Sequence, residues 1–413
     1  MIREWRRWLR RAEALLCTAT PGLYKLVVFA SIQHVYSVAE LGHTATNMSL
    51  AQLAGFFTAI GWASLILVRV PMAADRHQAV DAFYRVAWMA AATVILVSCI
   101  AVCVSALTPF AIEAGPFIFL LCGWSAYQVA RHYFVAQRSY RVAVLFDLIL
   151  IGGSYAAVYI CKAYEVSSSA ALALALLATA SVMFASIGAP PPSSVGHRFD
   201  RKGLQFGMTN FLSGGVNLMF VPISSITCGV AFAGGFSLLS SVTAVAILLP
   251  RAISTTQLPQ LAKLTASSSP IESPLRSMHK VVSRSNVAVL GINVLLVIAA
   301  VRLCERGSVA AYQSSLMASG VLLATQYAVA MGSVVSSSVM MVFERASETA
   351  TINLKTTILF SISCSLISVL DGHAGFFCVL LGAIAASVVR NRLVEKHAGR
   401  VVQSYNNTLQ AMR

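Results

Sequence analysis

The chain has 413 residues, of which 57% are hydrophobic and only 11% are charged, and its mean hydropathy is +0.75. About a quarter of the residues of a soluble domain are charged, and a soluble globule of this length could not bury so much apolar surface. The composition therefore excludes a soluble protein and indicates an integral membrane protein. Apolar stretches of about 20 residues recur along the whole chain, which favours membrane-spanning helices over a barrel of short alternating strands.

Taken in chain order, the apolar stretches predict an all-α polytopic membrane protein with about 12 transmembrane helices. The first follows a basic lead-in, MIREWRRWLRR, and its apolar part is too long for the core of a cleaved signal peptide. The last two are short and share the break DGHAG, which predicts a tight hairpin. The predicted spans are 13–37, 45–69, 86–107, 115–135, 143–161, 168–187, 205–226, 231–250, 286–304, 314–335, 355–371 and 373–389.

The basic residues determine the orientation of these spans. With a cytoplasmic N-terminus, 26 of the 30 Lys and Arg residues fall in segments that face the cytoplasm. This strong positive-inside bias predicts an N-in, C-in topology. It also explains the net charge of +15 through anionic lipid headgroups, without nucleic acid as a partner.

A Pro- and Ser-rich segment, GAPPPSSVGHRFDRKG (188–203), divides the chain near its middle. We interpret residues 1–190 and 205–389 as two six-helix halves and residues 390–413 as a cytoplasmic tail. An even number of spans in each half makes the halves parallel repeats, related by an axis along the membrane normal.

Lys25 is the most unusual residue of the first span. It lies about twelve residues into the span, which corresponds to roughly 18 Å of helix, and a charge at that depth costs at least about 2.5–3.5 kcal/mol. We interpret it as a fixed cation that lines a substrate path, although an internal ion pair or a misplaced span boundary would also explain it. Pro21, one turn earlier, predicts a kink. His34, near the outer end on the opposite face, is either a cargo or proton contact or an interfacial histidine.

Two polar groups lie near the cytoplasmic ends of the fourth and fifth spans. Asp147 could pair with a cytoplasmic arginine or take part in ion coupling. Tyr127 and Arg131 are four residues apart and share a helix face, an arrangement that suits sugar stacking and phosphate contact as well as interfacial anchoring. Asn210 and Asn217 share a face of the seventh span, and either interhelical hydrogen bonding or substrate contact explains them. The same two explanations apply to Gln326.

The sequence lacks the patterns that common membrane and hydrolytic enzymes require. It contains no GxxxxGK[ST] phosphate-binding loop, no HExxH and no GxSxG. Its nine cysteines form no CxxC pair and lie mostly in apolar runs, which favours packing residues over a metal site. We therefore expect neither an enzyme nor a cofactor.

Several segments resemble the lipid-linked oligosaccharide flippases, the Wzx-type O-antigen and exopolysaccharide translocases of the MATE-like MOP superfamily. VAELGHTATNMSLAQLAGFFTAIG (38–61) is similar to their A..LG......L pattern, with one residue fewer before Leu41 and one more before Leu50. QVARHYFVAQRSYRVAVLFDLIL (128–150) is similar to their link between spans four and five. The segment 234–264 follows their eighth span and its P.L..L exit. The matching residues are Ala39, Leu41, Gly42 and Leu50 in the first segment and Pro250, Pro259, Leu261 and Leu264 in the last.

The resemblance implies a cargo of undecaprenyl-diphosphate carrying a short sugar repeat, and a place in the bacterial inner membrane. It implies that Lys25 binds the diphosphate, that Tyr127, Asn210, Asn217 and Gln326 contact the sugars, and that Arg131 contributes to substrate binding. Membrane lipids, and polymerase and chain-length proteins of the same pathway, are the implied partners. The chain departs from the family late in the seventh span, where Pro222 and Ser224 stand in a stretch that often holds an acid, which puts an ion-coupling role there in doubt.

Three alternatives remain. A drug or cation antiporter of the same superfamily should prefer buried acids over a buried cation. A membrane polysaccharide polymerase or ligase should carry a large outside loop with arginines and a histidine, whereas the long loops predicted here face inward. An unrelated twelve-span sugar transporter should carry a charged signature between spans two and three, where this chain reads RVPMAADRHQ.

Overall fold

The computed structural model of the protein describes most of the chain as α-helix. The described residues are 2–107, 114–191, 199–244, 261, 264, 265, 268–303, 312–343, 345–365, 370 and 372–411, with the side chains of 2–12, 14, 15, 18, 303 and 346 excluded. Part of the eighth predicted span (245–250), the resemblance residues Pro250 and Pro259, and residues 366–369 and 371 of the predicted final hairpin lie outside the described residues.

Twelve consecutive helices account for the described ranges, which confirms the predicted all-helical architecture. Eight of them are long and apolar enough to cross a membrane. We number them α1 (Ile2–Val35), α2 (Val38–Met72), α3 (Arg76–Leu107), α4 (Ala114–Ala136), α5 (Tyr140–Ala163), α6 (Ser168–Ile187), α7 (Lys202–Cys228), α8 (Val230–Ala244), α9 (Glu272–Leu303), α10 (Gln313–Val342), α11 (Ala346–Ser365) and α12 (Gly372–Ala411).

Most of these helices are regular, but two contain local irregularities. In α2 a π-helical turn, Phe56–Ile60, interrupts the α-helix. In α10 the α-helix stops at Met331 and resumes at Val334. The helix α1, by contrast, continues through Pro21. Irregular turns of this kind leave backbone groups without their usual helical partners and therefore mark places where side chains from neighbouring helices can bind.

The described residues fall into two compact units, Met1–Ser237 and Leu238–Arg413. This boundary lies within α8 and not in the linker 188–203, because α7 packs closely on α2. At their crossing, a Cβ on Gly61 would lie 2.1 Å from the backbone oxygen of Gly203, and a Cβ on Gly207 would lie 2.5 Å from that of Phe56. Only glycine allows the two backbones to approach so closely. The division into halves at 1–190 and 205–389 stays a prediction.

The second unit contains a separate hydrophobic cluster around the C-terminal part of α12. Residues 390–411, predicted as a tail, continue this 40-residue helix. Its residues Val394 and Ala398 are buried against the beginning of α9 and the end of α10. The hydroxyl of Tyr405 donates a 3.0 Å hydrogen bond to the backbone oxygen of Ser269. The C-terminal part of α12 is therefore packed into the second unit.

Candidate functional site

Lys25 is a half-buried cation on α1 within the first unit. Among the residues that the structure describes, no carboxylate pairs with it and no acceptor is hydrogen-bonded to it. Its neighbour Tyr24 is buried. Of the three interpretations of Lys25, the internal ion pair therefore finds no support within these residues.

Asp147 on α5 is the centre of a buried polar network that joins three helices. The guanidinium of Arg131 on α4 donates to both of its oxygens, from Nε and from Nη2, at 2.9 Å each. The hydroxyls of Tyr127 and Thr20 also donate to this carboxylate. Arg131 donates in addition to the backbone oxygen of Cys17 on α1. The network connects α1, α4 and α5 through a single carboxylate.

The Asp147 network is closed and neutral. Asp147 is 1% exposed and Arg131 is 7% exposed. A buried carboxylate with two charge-assisted bonds and two hydroxyl donors has its hydrogen-bonding capacity satisfied. Asp147 therefore does pair with an arginine, as the sequence analysis allowed, and the partner is Arg131; Arg141, nearer the start of α5, pairs with Glu13.

The structure brings three of the candidate residues together, namely Tyr127, Arg131 and Asp147, and adds Thr20 and Cys17, which the sequence analysis did not identify. A hydroxyl and a small side chain in an apolar run give no signal by themselves. Tyr127 and Arg131 are four positions apart, so both reach the same carboxylate from one face of α4. In this arrangement their polar groups contact Asp147, and their predicted contact with a sugar or phosphate stays a prediction.

The remaining candidate residues are separate from this network. Asn210 and Asn217 lie half-buried on α7, and Oδ1 of Asn217 is buried without a partner among the described residues. Gln326 lies on α10 in the second unit, 3% exposed, and its Oε1 is likewise buried and unpartnered within the described part of the chain. His34 is exposed near the end of α1. Buried amide oxygens of this kind suit a ligand that donates hydrogen bonds.

A second half-buried cation is Arg390 on α12. It was not predicted as a candidate residue from the sequence, where it falls in the predicted cytoplasmic tail. Its guanidinium donates to Asn353 on α11 and Ser333 on α10, at 2.9 Å each. No carboxylate of the described residues pairs with it. The sequence did contain a signal that Arg390 is buried, because this residue immediately follows an apolar run. In the structure, α12 continues through it without a break.

No family model matches the sequence, and no curated protein is significantly similar to it. Solved structures are similar in fold over nearly the whole chain. An inward-facing multidrug resistance MATE family transporter of the MOP superfamily is 12% identical, with a TM-score of 0.65 and 95% of each chain covered. A eukaryotic MATE transporter is 14% identical, with a TM-score of 0.57 and coverage of 98% of this chain and 99% of its own.

A third similar structure is a MOP superfamily transporter from Pyrococcus furiosus, for which reverse polarity of the binding pocket is described as suggesting a different function. It is 13% identical, with a TM-score of 0.56 and 96% of each chain covered. At these identities the similarity establishes the fold and leaves the cargo open. The chain thus has the fold of the MATE-like transporters of the MOP superfamily.

Proposed function

We propose that this chain is a MOP-superfamily transporter that moves an anionic, lipid-linked oligosaccharide across a membrane, with undecaprenyl-diphosphate as the carrier. The proposal depends mainly on one observation: Lys25 is half-buried in α1 without an anionic partner among the described residues. An uncompensated cation inside a membrane costs several kcal/mol. A diphosphate group in transit would offset that cost by pairing with the ammonium.

The distribution of acids supports an anionic cargo over a cationic one. A drug or cation antiporter needs a buried acid that is free to bind its cargo. In this chain Asp147, the most buried acid of the described residues, is neutralised by Arg131 and receives two further hydroxyl donors. The antiporter has the same support from the similar folds, and only this charge pattern favours the flippase. The binding pocket of the Pyrococcus furiosus transporter is described as having reverse polarity, so pocket polarity differs among proteins of this fold.

In this proposal the sugars are contacted by the side chains of Tyr127, Asn210, Asn217 and Gln326. The buried amide oxygens of Asn217 and Gln326 would accept hydrogen bonds from sugar hydroxyls. His34 stays a predicted ion-coupling residue, whereas the pairing of Asp147 with Arg131 argues against the same predicted role for Asp147. The proposal implies the bacterial inner membrane as the location, the lipid-linked oligosaccharide as cargo, and polymerase and chain-length proteins as pathway partners. It includes no catalytic step and no cofactor.

Purified protein in proteoliposomes tests the proposal directly. Translocation of a fluorescent polyprenyl-diphosphate oligosaccharide is measured for the unaltered chain, for Lys25→Met and for Lys25→Arg. We expect Lys25→Met to lose at least about tenfold in rate, because the lost charge contact is worth about 1.5 kcal/mol or more. Lys25→Arg keeps the charge and should retain most of the rate.

Lys162→Gln is the matched control, because Lys162 is also a lysine of the first unit but lies over the ring of Tyr36, 5.1 Å from its centroid. This variant should translocate the probe at the unaltered rate. Equal rates for Lys25→Met and the unaltered chain would overturn the role of Lys25. Transport of a cationic dye with no transport of the polyprenyl-diphosphate probe would establish the antiporter instead.

A further inference from the structure

The first helix contains a proline and a glycine at adjacent positions well inside its length. Pro21 and Gly22 belong to the 34-residue helix α1, Ile2–Val35, which continues through both of them. Proline and glycine are the two least favourable residues in a helix interior, and side by side they usually mark a turn. The local sequence therefore does not by itself explain why α1 stays helical up to Lys25 and beyond.

The proline also removes one backbone hydrogen bond from α1. Pro21 has no N–H, so the carbonyl of Cys17, four residues earlier, has no α-helical donor. Cys17 is buried, and a buried carbonyl is costly unless a donor reaches it. The hydroxyl of Thr20 lies 3.3 Å from this oxygen, but its single hydrogen is donated to Asp147. The donor for Cys17 therefore has to come from another helix.

Arg131 on α4 supplies this donor. Nη2 of its guanidinium donates one hydrogen to the backbone oxygen of Cys17 and the other to Oδ2 of Asp147, the latter at 2.9 Å. Nε donates to Oδ1 of Asp147, also at 2.9 Å. The two parallel bonds to one carboxylate fix the plane of the guanidinium, and with it the direction of the hydrogen that Cys17 accepts. Asp147 thus orients Arg131, and Arg131 bonds to α1 at its proline.

Lys25 lies one helical turn after this proline. In an α-helix the N–H of Lys25 bonds to the carbonyl of Pro21, so the place of the lysine follows from the course of the helix at the proline. The ammonium is half-buried, and no carboxylate of the described residues pairs with it. No ion pair within the described part of the chain therefore fixes the Lys25 side chain, and its position depends on the backbone of α1.

We propose that Arg131 is the positioning residue for Lys25: its bond to the Cys17 carbonyl keeps α1 helical through Pro21 and thereby holds the Lys25 ammonium where the cargo passes. This role depends on the proposed transport function, in which Lys25 contacts a diphosphate. Arg131 acts on the cargo only through α1, and Asp147 acts only by orienting Arg131. A neutral donor to the same carbonyl would keep α1 helical equally well, because the backbone N–H of any residue other than proline does so in an ordinary helix.

The test removes this donor and then restores it from α1 itself. Arg131→Met together with Asp147→Asn leaves no buried charge in the network and takes the donor away from the carbonyl of Cys17. Adding Pro21→Ala to this double variant gives residue 21 a backbone N–H, the ordinary helical partner of that carbonyl. Adding Pro222→Ala instead is the matched control, because Pro222 is also a proline inside a helix of the first unit, in α7.

Two measurements are made on the full chain. Hydrogen exchange of the backbone amides of residues 22–30, followed by mass spectrometry in nanodiscs, reports on the helix after the proline and needs no cargo. We expect the double variant to exchange at least about tenfold faster there, because a hydrogen bond from a charged group is lost, while exchange in α6 stays unchanged. Translocation of the fluorescent polyprenyl-diphosphate oligosaccharide should slow by a similar factor. Pro21→Ala should restore most of both, and Pro222→Ala should restore neither.

Repair by Pro21→Ala separates positioning from a general loss of stability, because this change returns neither charge to the network. The proposal is overturned if the double variant exchanges or transports like the unaltered chain, if Pro21→Ala restores neither property, or if Pro222→Ala restores as much. If the double variant yields no folded protein, the same comparison is made on yield, and a yield that Pro21→Ala raises no more than Pro222→Ala overturns the proposal.

The same measurements distinguish this inference from the proposed function. If Lys25→Met transports at the unaltered rate, the proposed function fails, while the exchange of residues 22–30 still decides whether Arg131 holds α1 at its proline. If Lys25→Met is slow and the double variant exchanges faster without transporting more slowly, the proposed function stands and the positioning role of Arg131 is refuted.

Discussion

Replacing Asp147 with asparagine removes the carboxylate that neutralises Arg131 and keeps the shape of the side chain. Asp147 is 1% exposed, and Arg131 bonds both of its oxygens at 2.9 Å. Breaking a buried ion pair from one side leaves an uncompensated charge and costs about 3–5 kcal/mol. For a unit the size of Met1–Ser237, that corresponds to a fall in melting temperature of roughly 6–20 °C.

The assay is thermal unfolding of the purified protein in detergent, followed by intrinsic fluorescence at constant detergent concentration. Arg141→Gln serves as the control, because it breaks the pair with Glu13, in which the arginine side chain is 74% exposed. A pair so exposed is worth less than about 1 kcal/mol.

A double variant separates charge from packing. Arg131→Met together with Asp147→Asn removes both charges, and the asparagine oxygen can still accept from Tyr127 or Thr20. It should melt at a higher temperature than Asp147→Asn alone, because no buried charge remains. The reasoning is refuted if Asp147→Asn melts within about 2 °C of Arg141→Gln, or if the double variant melts lower than the single one.

Two further predictions concern the first unit. Gly207→Leu should prevent the close approach of α7 to the backbone of α2 and sharply reduce the yield of folded protein in size-exclusion chromatography. Gly153→Leu is the control and should leave this yield unchanged, because a Cβ on Gly153 meets nothing within 4 Å. Equal yields for the two variants would contradict the tight crossing. The backbone N–H of Lys202 and the guanidinium of Arg69 hold the pKa of Asp200 below its usual 3.8. This pair therefore stabilises the fold above that pH and loses its effect as the pH falls through the lowered pKa. Arg69→Gln should melt slightly below the unaltered chain at pH 7, and the gap should close in acid; a gap that stays constant down to pH 3 would argue against the pairing.

The sequence alone determined the fold class and the number of long helices found in the described part of the chain. Apolar runs of membrane length are a local property, because each helix satisfies its own backbone hydrogen bonds and needs only apolar side chains facing lipid. For the same reason the predicted spans coincide with observed helices. The helix ends differ from the predicted ends, because a helix can continue through polar residues beyond its apolar run; α1 and α12 are examples. The unusual position of Lys25 could also be recognised from the sequence, because a charge within an apolar run is unfavourable in a membrane whatever the neighbouring helices are.

The partners of the polar residues were decided only by the tertiary structure. Asp147 and Arg131 lie on different helices, and nothing in the spacing of either shows that a hydroxyl from α1 completes their network. From the sequence, Arg390 was predicted to be a cytoplasmic basic residue. In the structure, α12 packs against α10 and α11, and Arg390 lies at the break in α10 beside the amide of Asn353. Whether a buried charge is neutralised or left available depends on which side chains long-range packing brings within 3 Å, and one-dimensional patterns carry no such information.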